Sequence, residues 1–497
     1  MKALLNHKPL VWHFLPLAAL LVYHQNYYHA LVVDVSILLA LGFALMHAHL
    51  RTRVWPAAYV LLGGAALYYI SGNALFLAVI FVGITEMLSF RQFVLPFVYA
   101  LAAGFYAWVS GSYLFLISPQ HAFQFPLISG MGYRFPLVGL SGFFALFILL
   151  AALGAAILPQ SSIFTKKAWI YAQALVVLCV SFGVPVLLYP KVEKTFFTFQ
   201  YYSQTQQWDR ILKLAQRPHS RTPEIQHYIN RALCHTGKLG DSLFAYHQHF
   251  GRDGLVLNAN YVPSTERIRS DLYWDWGAFN EAKHWAHEAA SVRGETAWNL
   301  QRLALCYLVL EEKKAAHLYL NKLNQTLLFR EWAEKYMPYV QPDADVRRHP
   351  YLQSLIDLKV EKNYLEFVNQ PEKTLNALLQ QNPQNRVACD YYMACLLLEK
   401  KIGSFVKECL RVQDFDEPLP RHYQEAILFY AAQRTQNKMD VSGYQDQIDA
   451  ATLSRFKSFQ QTFLKHRTNK ASAKDALAHS HHDTYWYYLF FVEQPDR

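Results

Sequence analysis

Up to Pro190 the chain is almost continuously apolar, and beyond it apolar residues recur at helical spacing among charges. Apolar stretches fall at 10–23, 30–49, 54–70, 74–88, 93–117, 136–158 and 168–189. Crossing a bilayer as a helix takes about 20 residues. Several stretches reach that length, whereas the first, third and fourth are short, and 54–88 also reads as a re-entrant pair or one broken span. Lys and Arg sit in alternate connections: Lys2 and Lys8, Arg51 and Arg53, Arg91, and Lys166 and Lys167 on one side, Arg134 alone on the other. The positive-inside rule then puts the N-terminus in the cytoplasm. Seven spans deliver the rest of the chain to the opposite, extracytoplasmic face.

After Pro190 the pattern changes to that of amphipathic helices. Tyr273 and Tyr307, Ala282 and Ala316, and Trp285 and Tyr319 are each 34 residues apart, the period of tetratricopeptide (TPR) repeats. In such hairpins small residues (Ala282, Ala304, Ala316) sit where two helices approach closely, and aromatics (Tyr273, Trp285, Tyr307, Tyr319) fill the surrounding hollows. Gly277 suits the tight turn, and its counterpart one period on is Glu311. Neither copy has a closing proline. Residues 208–214 and 225–250 read as diverged repeats with a turn at Gly237, and 196–202 as an amphipathic collar on the lipid surface. After a proline- and charge-rich break at 341–350, helices are expected at 351–358, 374–381, 390–400, 404–412, 423–433 and 444–467. The sequence from Asn469 is polar, but its final aromatic run, 485–491, is expected to dock on the last helices. The expectation is an all-α protein, an N-terminal polytopic transmembrane helix bundle followed by a TPR-like α-solenoid. Its parts are 1–190 (bundle of about seven helices), 191–340 (repeats) and 341–497 (further hairpins and aromatic tail).

Composition sharpens this picture. Of 47 Lys/Arg and 37 Asp/Glu, the first 190 residues hold only eight and two. The net charge of +10 is therefore largely charge flanking apolar spans, and not the clustered basic face that nucleic-acid binding requires. The six cysteines contain no CxxC and read as buried thiols.

The residues Trp208-Asp209, 233–243, 280–290, Arg348-His349-Pro350 and 385–406 carry a resemblance to an uncharacterised bacterial family of multispanning membrane proteins with a TPR-like extramembrane half. It covers most of the chain from about Tyr23, and members often carry further hydrophobic sequence ahead of that point. The resemblance implies architecture and a bacterial inner-membrane location, and it brings no catalytic residues.

Candidate chemistry is sparse. There is no Walker loop, dinucleotide fingerprint or HExxH. His284, His287 and Glu288 share a helix face that reads as solvated, and His479, His481, His482 and Asp483 cluster in the polar tail as no more than a weak or adventitious metal site, so no metal and no cofactor is assigned. Asp34 and Glu86 are weak catalytic candidates because an acid inside a membrane is costly. Asp34 lies roughly where polyprenyl-phosphate-dependent (GT-C-like) glycosyltransferases with appended TPR repeats carry an acid, and that activity is the alternative. The principal expectation is an integral membrane protein of unknown activity, leaning away from an enzyme, whose repeats bind a protein or peptide at the extracytoplasmic surface.

Overall fold

The computed structural model describes residues 40, 42–44, 46–47, 56–72, 74–89, 91–114, 116, 122, 191–219, 221–257, 265–360, 370–409, 418–433 and 442–493. Among them every regular element is helical and no strand occurs. The chain divides into two compact units. One comprises Met1–Lys194, Ala290–Gln301 and Leu318–Met337, the other Thr195–Ala289, Arg302–His317 and Pro338–Arg497.

In the first unit the apolar half supplies α1 (Gly64–Ser71), α2 (Ala74–Ser89) and α3 (Leu95–Val109). A π-helical turn, Tyr59–Gly63, precedes α1, and another, Ser110–Leu114, prolongs α3. The carbonyl of Leu61, inside the first π-turn, accepts the Tyr106 hydroxyl at 2.6 Å. Wide turns of this kind disturb the regular ladder, and a side chain can then use a backbone group. Leu95–Leu114 is the one described helix long and apolar enough to cross a membrane, its length being about 30 Å. Among the described residues it stands alone, so the expected polytopic bundle is not supported there. The 74–88 stretch is the 16-residue α2, rising only about 24 Å, and 54–70 is interrupted by its π-turn. An apolar run counts residues, whereas spanning needs an unbroken rise. The stretches 10–23, 136–158, 168–189 and most of 30–49 lie outside the described residues.

One face of α3, with Tyr99, Ala103 and Ala107 at fourfold spacing, is buried against Leu75, Ala78, Val79 and Val82 of α2. The other face exposes Phe97, Leu101 (76 %), Phe105 and Trp108. Spacings of three and four place these on a single stripe.

Beyond the apolar half come α4 (Lys191–Gln204), α5 (Trp208–Ala215), α6 (Pro223–His235), α7 (Leu239–Ser242), α8 (Thr265–Asp275), α9 (Phe279–Arg293), α10 (Ala297–Val309) and α11 (Lys313–Asn324). These are followed by α12 (Arg330–Tyr336), α13 (Pro350–Leu358), α14 (Pro371–Gln381), α15 (Arg386–Leu398) and α16 (Ile402–Glu408). The chain closes with α17 (Arg421–Ala432), α18 (Ala450–Lys465), α19 (Lys470–His481) and α20 (Tyr485–Phe491). Five consecutive-helix turns share one geometry. Gln206, Gly237, Gly277, Glu311 and Lys400 are left-handed, with φ of 55°, 67°, 75°, 62° and 59°. After each, the next residue's N–H reaches the carbonyl five residues back (Tyr202, Leu233, Tyr273, Tyr307, Leu396) at 2.8–2.9 Å. This is the Schellman cap, which satisfies carbonyls left open at a helix end. Glu311 thus takes the conformation of its glycine counterpart. Gly277 meets a second demand, since a Cβ there would lie 2.4 Å from the Leu358 carbonyl oxygen.

Ala282, Ala304 and Ala316 are fully buried and Tyr273 is buried, while Trp285, Tyr307 and Tyr319 are half-buried. The Ser270 hydroxyl donates to the Ala282 carbonyl at 2.8 Å, tying α8 to α9. One expectation changes. Of residues 196–202, Phe199 is fully buried in the core of the second unit and Phe196 and Tyr202 pack against it, so these rings meet protein where lipid was expected. The sequence after Asn469 is α19, capped by the Asn469 side chain. The aromatic run docks as α20, with the Trp486 indole donating to the Glu425 carbonyl at 2.7 Å. The Lys400 ammonium donates to the carbonyls of Leu489 and Val492.

Candidate functional site

The residues singled out for chemistry fare unequally. Asp34 lies outside the described residues. Glu86 is fully buried on α2, with Oε1 3.5 Å from the buried Nε2 of His47, so it makes a contact between helices. His287 meets the Tyr307 hydroxyl at 3.0 Å, whereas His284 and Glu288 are exposed. Asp483 takes ion pairs from Arg421 (3.0 Å) and Arg455 (2.7 Å), which join α17 and α18 to the start of α20. Among the described residues no three His, Cys, Asp or Glu side chains are placed to hold a metal. The described cysteines are buried and form no disulfide with one another, and burial pushes the Cys306 thiol up to about 12.

Two groups of charges stand out in the second unit, and neither was read from the sequence. The first is buried. Arg231 of α6 grips Asp275 of α8 through two nitrogens (2.5 and 3.0 Å) and donates to the Ser203 hydroxyl at 2.9 Å. Asp275 also meets His235 Nε2 at 3.0 Å, and that imidazole stacks on Trp208 with centroids 4.2 Å apart. Arg302 of α10 pairs with Asp271 and lies over the Trp274 ring. Burial would raise the Asp275 carboxyl, but Arg231 and His235 hold it well below the usual carboxylate range. Burial alone would lower the Arg231 pKa, and Asp275 and Asp271 raise it above the ordinary value instead. Every member has its complement, so the group binds helices together and has no charge left over for a ligand.

The second group is open. The chain after α7 runs out as a short 3-10 turn and then an extended Tyr246. Successive side chains alternate across the segment: Gln248 is buried while His247 and His249 are exposed, their rings stacked 5.3 Å apart. Gln248 anchors the segment. Its amide donates to Asn230 Oδ1 and the Leu243 carbonyl (both 2.9 Å) and accepts from Gln226 Nε2 (2.9 Å) and Asn230 Nδ2 (3.1 Å). A Cβ on Gly254 would come within 1.9 Å of Gln226 Nε2, so only glycine leaves room for this amide cluster. A fully satisfied buried polar network holds one geometry, and here it fixes the two imidazoles.

These imidazoles form the shared wall of two neighbouring cavities, of about 600 and 620 Å³. Arg217, His219 and Arg221, from the α5–α6 connection, line the first, and no carboxylate lines it among the described residues. Lys474 and His482 line the second, with Glu493. Burial and then the charges of Arg221, His249, His482 and His219 hold His247 below its ordinary value. Burial, Arg221 and Lys474 do the same to His249. Uncompensated positive charge in a concave setting attracts anions. The helical pattern read through 225–250 concealed the segment. The signal that could have found it is the alternation Tyr246-His247-Gln248-His249-Phe250.

The chain belongs to the family of unknown function DUF6057, whose model matches residues 1–492. No curated protein and no solved structure matches it.

Proposed function

We propose that this protein is anchored in the inner membrane of a bacterium, and that its TPR-like helical half offers the arginine–histidine cleft to an acidic segment of a partner protein. The cleft carries the reading, because Arg217, Arg221, His219, His247 and His249 surround a cavity that no described carboxylate lines. The facing sides of α6, α8 and α10 hold paired charges, whereas the cleft has charge to offer. The 34-residue period and the five matching Schellman turns support the TPR-like description. The apolar stripe on α3 supports anchoring, since such a face is stable against lipid and costly against water. The extracytoplasmic side is supported by Arg91, which precedes α3. At the opposite end of that helix, the Tyr113 carbonyl accepts the Leu327 N–H at 2.9 Å.

The test uses the full chain in detergent micelles and a fluorescent oligoglutamate peptide as the acidic segment. Binding should weaken with salt and fall about tenfold or more in the Arg217→Glu/Arg221→Glu variant. Equal binding of oligolysine, or an unchanged double variant, would overturn the reading.

A further inference from the structure

The turn between α11 and α12 is built and yet apolar outside. Thr326 Oγ1 donates to the Leu323 carbonyl at 2.7 Å and accepts the Phe329 N–H at 3.2 Å. Arg330 Nε closes the turn on the Asn324 carbonyl at 3.1 Å. On this rigid frame Leu327 and Leu328 are 69 % and 57 % exposed, and Leu318 of α11 is also exposed. Scattered exposed leucines need no explanation, but adjacent leucines at the tip of a hydrogen-bonded turn do.

The Leu327 N–H donates to the Tyr113 carbonyl, in the last turn of Leu95–Leu114. That end of the helix carries the exposed aromatics Phe105, Trp108 and Tyr113, with Trp108 and Tyr113 edge-to-face at 5.6 Å. Trp and Tyr concentrate at the level of lipid headgroups. The bond therefore sets Leu327 and Leu328 at the depth where an amphipathic surface enters a bilayer. We infer that the 324–330 turn is a lipid-binding wedge, which inserts Leu327 and Leu328 into the headgroup–acyl boundary beside the end of α3. The occupant is lipid because the patch continues the exposed stripe of Phe97, Leu101, Phe105 and Trp108. This inference rests on the membrane anchoring proposed above.

The experiment places a polarity-sensitive fluorophore on Leu328→Cys, on Leu101→Cys and on Lys314→Cys, an exposed position on α11. Each full-length variant is reconstituted in phosphatidylethanolamine–phosphatidylglycerol vesicles, with label on the native thiols subtracted. The wedge predicts blue-shifted emission at Leu328, loss of fluorescence with a shallow spin-labelled lipid and protection from aqueous iodide. Lys314 should show the reverse. Lipid quenching at Leu101 but iodide quenching at Leu328 would leave the anchoring intact and overturn the wedge. Protection of Leu328 from both quenchers would mean that protein covers the turn, which overturns it equally. Absence of lipid quenching at both Leu101 and Leu328 would sink the anchoring itself.

Discussion

The buried ion network and the open cleft use the same residue types to opposite ends. Around Arg231 every charge meets its complement: Asp275, Asp271 and a hydroxyl surround the guanidinium. Around His247 the neighbours repeat its sign, since Arg221, His249, His482 and His219 all disfavour its protonation. Compensation removes the cost of burial and leaves nothing for a ligand. Repetition of sign costs little where solvent screens it, and it leaves a demand for an anion. Charge type thus says little about role without the neighbours.

The largest expected effect removes the centre of the compensated network. Arg231→Ala leaves Asp275 and Asp271 buried without their guanidinium, and should cost about 3–5 kcal/mol in denaturant unfolding of the full chain. A loss below about 1 kcal/mol would show that the network contributes nothing that water could not replace.

Next in size is the pH response of a buried imidazole. His227 is fully buried and is lowered to about 4, first by burial and against the hydrogen bond with the Leu255 carbonyl. The unfolded chain takes up a proton below the ordinary value of 6.5, while the folded chain resists until about 4. This contribution is therefore present above pH 6.5 and is lost as pH falls toward 4, by roughly 3 kcal/mol. His227→Gln should flatten that window. Asp275 acts at lower pH, because its depressed carboxyl loses its contribution only below the ordinary 3.8.

The smallest stability effect belongs to the cleft, where the comparison predicts the opposite pH sign for binding. His247→Gln/His249→Gln should change folding by no more than about 0.5 kcal/mol, as expected for exposed side chains. In the parent chain, oligoglutamate binding should strengthen as pH falls below 6.5, because an anion favours the charged imidazoles that their neighbours disfavour. The double variant should lose that rise. Anisotropy titrations across the window measure it, and a parent chain with pH-independent binding would remove the histidines from the site.

The turns and close helix contacts were legible because local geometry constrains them. A residue at a Schellman turn or a close helix contact is chosen by its immediate neighbours, and the turns at 277 and 311 share one geometry. Gly277, Ala282, Ala304 and Ala316 could therefore be read in advance, and Glu311 takes the left-handed turn that its position required. The aromatic run 196–202 could not be read this way. An amphipathic face is the same pattern whether it meets lipid or a protein core, and Phe199 met the core.

What the sequence determined by itself is the all-helical character, the left-handed turns at Gly277 and Glu311, the change of composition near Pro190 and the docking of the final aromatic helix. These follow from periodicity and composition, which act over a few turns of chain. Only the tertiary structure decided which charges are paired and which are offered. Arg231 and Asp275 are 44 residues apart and Arg221 and His482 are 261 apart in the chain, yet the first pair shares a buried bond and the second acts on His247 from two neighbouring cavities. Electrostatic complement depends on distance through space and on burial, and no local pattern encodes either.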